Sequence, residues 1–111
     1  MLIIPIKEKW FEMLCSGEKP EDYREIKPYW IKRFGWKDII YADDSPGHEH
    51  RLVVTSVKMP VIFRNGYSSN SPYLKCIVHI SKGSGKTEWG AKPNTEYFVL
   101  RIDEVLEKKT T

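Results

Sequence analysis

Long apolar runs are missing from this 111-residue chain. No stretch approaches the roughly 20 residues of a bilayer-spanning helix, and the opening Met1-Leu2-Ile3-Ile4-Pro5-Ile6 is too short for the apolar region of a secretory signal. A cytoplasmic protein without a membrane segment is expected. Cysteine is scarce: Cys15 and Cys76 form neither a metal-type spacing nor a disulfide framework, so two buried, reduced thiols are expected. A large excess of one charge is lacking as well, since 18 Lys and Arg stand against 15 Asp and Glu. That balance argues against a long duplex as partner, whose binding draws on a strongly basic face. The charge is uneven, however. Residues 1–50 hold 8 basic against 10 acidic side chains, and residues 51–111 hold 10 against 5. A basic second half suits a ligand with a few phosphates, and it equally suits an ordinary solvated surface. Internal repeats and linker-like segments are absent, so residues 1–111 read as one domain.

Two apparent motifs lack the parts that would make them work. Gly83-Ser84-Gly85-Lys86-Thr87 ends like a phosphate-binding loop, but the first glycine of such a loop would fall at Ile80, and the residues after Thr87 cannot supply its long helix. No cofactor is expected. Asp43, Asp44, His48 and His50 crowd one breaker-rich stretch, yet no further ligand follows at a recognised spacing, so a polar loop is expected there and no metal site. His79, between Val78 and Ile80, reads as a hydrogen-bonded residue of the sheet.

What the chain does have is aromatic residues and short alternating segments: 4 Trp, 6 Tyr and 4 Phe. Leu2–Ile6 reads as a buried strand. Trp10, Phe11, Leu14 and Cys15 fall at helical spacing within residues 7–16, with Gly17 just past the helix end. Glu21–Ile26 is the second strand, and Pro28 starts a short helix that Gly35 closes. Strands follow at Asp38–Ala42 and Arg51–Val57, with a continuation at Met59–Phe63 in which Pro60 favours an edge or a bulge. Arg64-Asn65-Gly66-Tyr67 signals a turn. Tyr73–Ser81 is a strand, residues 82–95 are a long loop, and Tyr97–Ile102 is the last strand. About six strands with two short helices near the N-terminus predict a mostly β, curled or closed sheet with helices over one end.

The densest chemistry lies in Gly17-Glu18-Lys19-Pro20-Glu21-Asp22-Tyr23-Arg24. In a regular strand Asp22 and Arg24 share one face while Glu21, Tyr23 and Glu25 share the other, and Lys19 stands at the entrance. An ammonium, a carboxylate and a guanidinium then converge, able to hold a polar planar ligand or a phosphate. The same three groups also read as a surface ion pair worth about 0–1 kcal/mol. Tyr23 is expected in the core or at a rim.

Gly17-x-Lys19-x-x-Asp22-x-Arg24 resembles the G-x-K-x-x-E-x-R signature of ASCH domains, with Asp in place of Glu. Tyr23-Arg24-Glu25, Pro28-Tyr29-Trp30, Asn65-Gly66-Tyr67 and Glu88-Trp89-Gly90 are similar to the stand-alone bacterial and phage members of that family. The resemblance implies a small PUA-like β-barrel whose cleft beside the signature binds RNA or a modified nucleoside. Lys19, Asp22 and Arg24 would floor that cleft, and Tyr29, Arg64, Asn65 and Tyr67 are further candidates at its mouth. One branch of the family hydrolyses N4-acetylcytidine with a Lys and, three residues later, a Thr nucleophile. Lys19 matches that Lys, but Asp22 occupies the Thr position, so a Thr-type acyl-enzyme is excluded. If the chain is an enzyme, an amidohydrolase or a ribonuclease, Lys19 and Asp22 are its catalytic candidates, with Tyr23 a further one for a ribonuclease. A third expectation is a protein-interaction module that meets a partner through Trp30, Trp36 or Trp89.

Overall fold

A computed structural model describes residues 1–42, 49–53 and 56–110. Among these residues, seven strands, two α-helices and one 3-10 turn follow one another in the order β1 (Leu2–Pro5), α1 (Glu8–Ser16), β2 (Glu21–Glu25), α2 (Pro28–Phe34), β3 (Asp38–Ala42), β4 (Glu49–Val53), β5 (Val57–Arg64), β6 (Tyr73–Ser84), the 3-10 turn (Thr87–Trp89) and β7 (Glu96–Lys109). The protein is a mixed α+β structure, mostly strand. β3 and β4 form an antiparallel pair, and the other five strands form one sheet in the order β1-β5-β6-β7-β2.

Local chemistry sets both helix ends. α1 stops because Gly17 enters the left-handed region at φ 82° and returns its N–H to Leu14 O. α2 begins at Pro28, where a missing N–H loses no intrahelical bond, and stops at Gly35 with φ 63°. Phe11 and Leu14 of α1 and Phe34 of α2 are buried against alternate residues of the sheet, among them Ile4, Phe63, Leu74 and Phe98. Phe63, Phe98 and Leu100 are fully buried, and each such side chain stabilises the fold by about 1.5–3 kcal/mol relative to an exposed one. Phe34 meets Phe98 edge-on at 5.2 Å between ring centroids.

Several expected boundaries move. β6 continues to Ser84 and β7 to Lys109, because the two strands pair along their whole length, with bulges between Lys75 and Cys76 and between Ile77 and Val78 absorbing the register change. The expected 82–95 loop therefore shortens to 85–95. The strand expected over Arg51–Val57 is divided: β4 ends at Val53, and Val57 opens β5. Pro60 lies inside β5, yet β5 is an interior strand. The ladder to β1 begins only at Val61, opposite Leu2, so the absent N–H of Pro60 removes no bond on that side. His79 is exposed, facing away from the buried row Cys76, Val78 and Ile80. β1 is an edge strand, and Ile3 on it is 41 % exposed while Ile4 is fully buried, so the expected buried strand is buried on one face.

The sheet does not close into a ring, because its edges β1 and β2 share no ladder. One side chain spans the gap: Arg24 Nη2 on β2 donates to Pro5 O on β1 at 3.1 Å. The five strands therefore curl far enough to bring their two ends within reach of a guanidinium. Asp43, Asp44 and His48 lie outside the described residues. No described helix is long and apolar enough to cross a membrane.

Candidate functional site

The register of β2 places the ionic groups. Asp22 lies opposite Leu100 and Arg24 opposite Phe98, and both partners are fully buried. Cross-strand partners point to the same side of a sheet, so Asp22 and Arg24 enter the concave face that carries the core. Lys19 reaches the same place from the turn after α1, where its N–H donates to Met13 O at 3.0 Å. Its ammonium donates to Asp22 Oδ1 at 3.1 Å, and Arg24 Nε donates to Asp22 Oδ2 at 2.7 Å. Lys19 is 1 % exposed and Asp22 4 %. A surface ion pair is thereby ruled out, because both charges have left bulk water and depend on each other.

Beside these groups a cavity of about 620 Å³ opens at the seam between the two sheet edges. Pro5 and Ile6 contribute from the end of β1, Lys19, Asp22 and Arg24 form the ionic part, and Asn65, Gly66 and Tyr67 form one lip. Trp10, Tyr23, Trp89 and Tyr97 add aromatic wall. The Lys19 ammonium lies 4.8 Å from the centroid of the Trp10 ring and 5.7 Å from that of Tyr23, within the range of cation–π attraction. Among the described residues, Lys7, Lys19, Arg24 and Lys92 against Asp22 and Glu25 leave the lining with a surplus of two positive charges.

Asn65 and Tyr67 therefore line the cavity as expected, with Tyr67 85 % exposed at the rim. Arg64 and Tyr29 do not line it. Arg64 instead braces the lip, donating from Nε to Gly66 O at 3.2 Å and from Nη2 to Tyr67 O at 3.4 Å. Tyr29 lies on α2 with the Arg33 guanidinium 3.3 Å from its ring centroid. Trp36 is buried against Phe98, so it is not available to a protein partner.

Tyr23 was expected in the core or at a rim and proves to be a wall of the cavity. β2 is an edge strand, so a cleft running past its free side collects residues from both faces, Asp22 from one and Tyr23 from the other. The phenol oxygen accepts a hydrogen bond from Lys86 N–H at 3.0 Å. The glycine-rich segment explains how the chain comes so close. A Cβ on Gly85 would stand 2.8 Å from two carbons of the Tyr23 ring and 2.6 Å from Ala91 Cβ. Gly90, at φ 97°, lies under the Trp10 indole, 3.0 Å from where its own Cβ would be. These glycines seat the 85–95 loop against the cleft, and they cradle rings, not phosphates.

Burial pushes the Tyr23 phenol up to about 12, with the Lys86 hydrogen bond opposing it. Burial likewise pushes the Cys76 thiol up to about 12. Both groups ionise first in the unfolded chain, where they titrate at about 10 and 8.5. Their contribution to stability is thus complete at neutral pH and is lost as pH rises from the unfolded toward the folded value. Urea midpoints measured at pH 9, 10 and 11 are expected to fall with pH, and Tyr23→Phe is expected to flatten the fall above pH 10. An identical slope in the variant would show that Tyr23 titrates as in free solution.

Of the wall residues, Trp10 and Tyr97 have no site role assigned from the sequence, Tyr23 enters only as a ribonuclease candidate, and Trp89 only through the Glu88-Trp89-Gly90 likeness and as a contact for a protein partner. No family model, curated protein or solved structure matches this chain.

Proposed function

We propose that the cleft binds RNA or a modified nucleoside, and that the curled sheet is the open counterpart of the small PUA-like barrel implied by the ASCH-like signature. The observation that carries this reading is a buried ammonium, Lys19, at the floor of a cavity walled by Trp10, Tyr23 and Trp89. Aromatic faces accept a base by stacking, worth about 1–3 kcal/mol per base. The surplus of positive charge favours a phosphate nearby. Asp22 supports binding ahead of catalysis, because each of its oxygens already accepts a hydrogen bond from a cation. Its first task is to hold Lys19 and Arg24 in place. A cytoplasmic setting, in which Cys15 and Cys76 stay free thiols, belongs to the same reading.

Titration with a short single-stranded RNA tests it. Saturable binding is expected, with about three phosphates neutralised and a slope of log affinity against log salt near −2, from roughly 0.7 per phosphate on a single strand. A parallel incubation with N4-acetylcytidine and with RNA, beside Lys19→Ala and Asp22→Ala, separates a binder from an enzyme. Turnover lost in both variants would assign a hydrolase. Failure of RNA and nucleosides to bind, with a protein partner co-purifying through Trp30 or Trp89, would overturn the reading in favour of an interaction module.

A further inference from the structure

Resting on the nucleic-acid reading of this cleft, we infer that its preferred ligand ends in a phosphate monoester: a free mononucleotide or the phosphorylated terminus of an RNA, with the phosphate on Lys19 and Arg24 and the base against the aromatic wall. Donor supply is the first argument. A lysine ammonium has three N–H donors and a guanidinium five. Among the described residues Lys19 uses one of them, toward Asp22, and Arg24 uses two, toward Asp22 and Pro5 O. Among the described residues the remaining donors of both side chains have no hydrogen-bond acceptor, only the aromatic faces of Trp10, Tyr23 and Trp30 nearby, and both residues line the cavity. Asp22, with both oxygens engaged, cannot turn away from its cations to receive a base amino group without breaking a buried pair.

Depth is the second argument. Lys19 is 1 % exposed, so a group that touches its ammonium must reach the floor of the cleft. The phosphate of an internal diester carries chain on both sides and would have to thread two strands of backbone through that floor. A terminal phosphate needs only one way in. The cavity, about 620 Å³, falls in the range of roughly 300–1,000 Å³ that holds one small ligand. The other phosphates of a longer strand would lie outside it, near the exposed Lys7 and Lys92.

Charge is the third. The described lining residues carry a surplus of two positive charges, and a phosphate monoester carries about −1.5 to −2 at neutral pH, against −1 for a diester. Lys7 and Lys92 supply the outer part of this surplus from exposed positions, where substitution leaves the buried pair intact.

The test compares four probes by equilibrium titration followed by indole and Arg Nε resonances: nucleoside 5′-monophosphates, the matching nucleosides, and a short single-stranded RNA with and without a 5′-phosphate. Monophosphates are expected to bind at least tenfold tighter than nucleosides, with shifts at the Trp10 and Trp89 indoles and at Arg24 Nε. The phosphorylated RNA is expected to exceed its hydroxyl counterpart by a similar factor if the natural source is an RNA end, and to match it if the source is a free mononucleotide. Lys7→Ala with Lys92→Ala should narrow the gap between monophosphate and nucleoside while the urea midpoint stays unchanged. Nucleosides binding as tightly as monophosphates would overturn the inference and leave the nucleic-acid reading standing. Inorganic phosphate binding as tightly as monophosphates, with no indole shift, would overturn the assignment of the base. No binding by any of the four probes would remove both.

Discussion

Asp22→Asn is expected to lower the stability of the folded chain by about 3–5 kcal/mol, the usual loss when one partner of a buried ion pair is removed and the other charge remains. For a domain of this size that corresponds to a fall in Tm on the order of 10–20 °C. The size follows from position. Asp22 holds Lys19 at 3.1 Å and Arg24 at 2.7 Å, and the Lys19 side chain is 2 % exposed. An amide oxygen can accept from one of these donors but carries no charge, so two cations would then face each other in a region with little water. Lys19→Met is the informative contrast. It removes a buried charge, leaves Asp22 paired with Arg24, and fills similar volume, so it is expected to change stability far less. Urea midpoints of the two variants provide the check. Equal small losses would mean that water reaches the pair and screens it.

Arg24→Lys keeps the charge and is still expected to destabilise the protein by about 1–3 kcal/mol, because the two residues are not interchangeable at a forked site. The guanidinium does three things at once: it donates to Asp22 Oδ2, donates to Pro5 O across the open seam, and lies 5.3 Å from the centroid of the Trp30 ring. An ammonium on a flexible stem can meet one of the two acceptors in good geometry. The Asp22 contact is the stronger, being charge-assisted, so the Pro5 contact is the one lost. Among the described residues no other side-chain hydrogen bond then ties β1 to β2, and faster hydrogen exchange at the Ile4 and Ile6 amides is expected beside the lower urea midpoint. Unchanged exchange in β1 would show that packing of Ile4 and Ile6 alone holds the seam.

Much of the local structure was legible in the sequence because glycine and proline mark ends unambiguously. Gly17 and Gly35 supply the left-handed caps, Pro28 opens α2, and Arg64-Asn65-Gly66 forms the turn that becomes a lip. Strand lengths were less legible. The outer half of β7, Asp103–Lys109, is charged and exposed, and it is ordered as strand by pairing with Tyr73–Ile77, a partner some thirty residues away. No local pattern announces such a pairing. Bulges then broke the alternation that would have revealed it.

The ionic part of the site was legible, since strand alternation correctly put Asp22 and Arg24 on one face. Its aromatic part was not. Trp10 reads equally as the apolar face of α1, and Tyr23 reads as facing away from Asp22. Tyr23 lines the cleft because β2 is an edge strand beside an open seam, and Trp10 because the 85–95 loop and Lys19 come up against α1, both matters of topology. Tyr29 failed for the opposite reason: an exposed aromatic next to basic residues looks like a binding surface, but Arg33 already occupies its ring.

The decisive measurement is an equilibrium titration of short single-stranded RNA into the wild-type protein and Lys19→Met, each first shown to be folded by circular dichroism and urea denaturation. A cleft whose buried ammonium meets the ligand predicts saturable wild-type binding and at least a tenfold weaker affinity in the variant at the same salt. Equal affinities in two folded proteins would contradict it and would leave Lys19 as a structural ion in the seam.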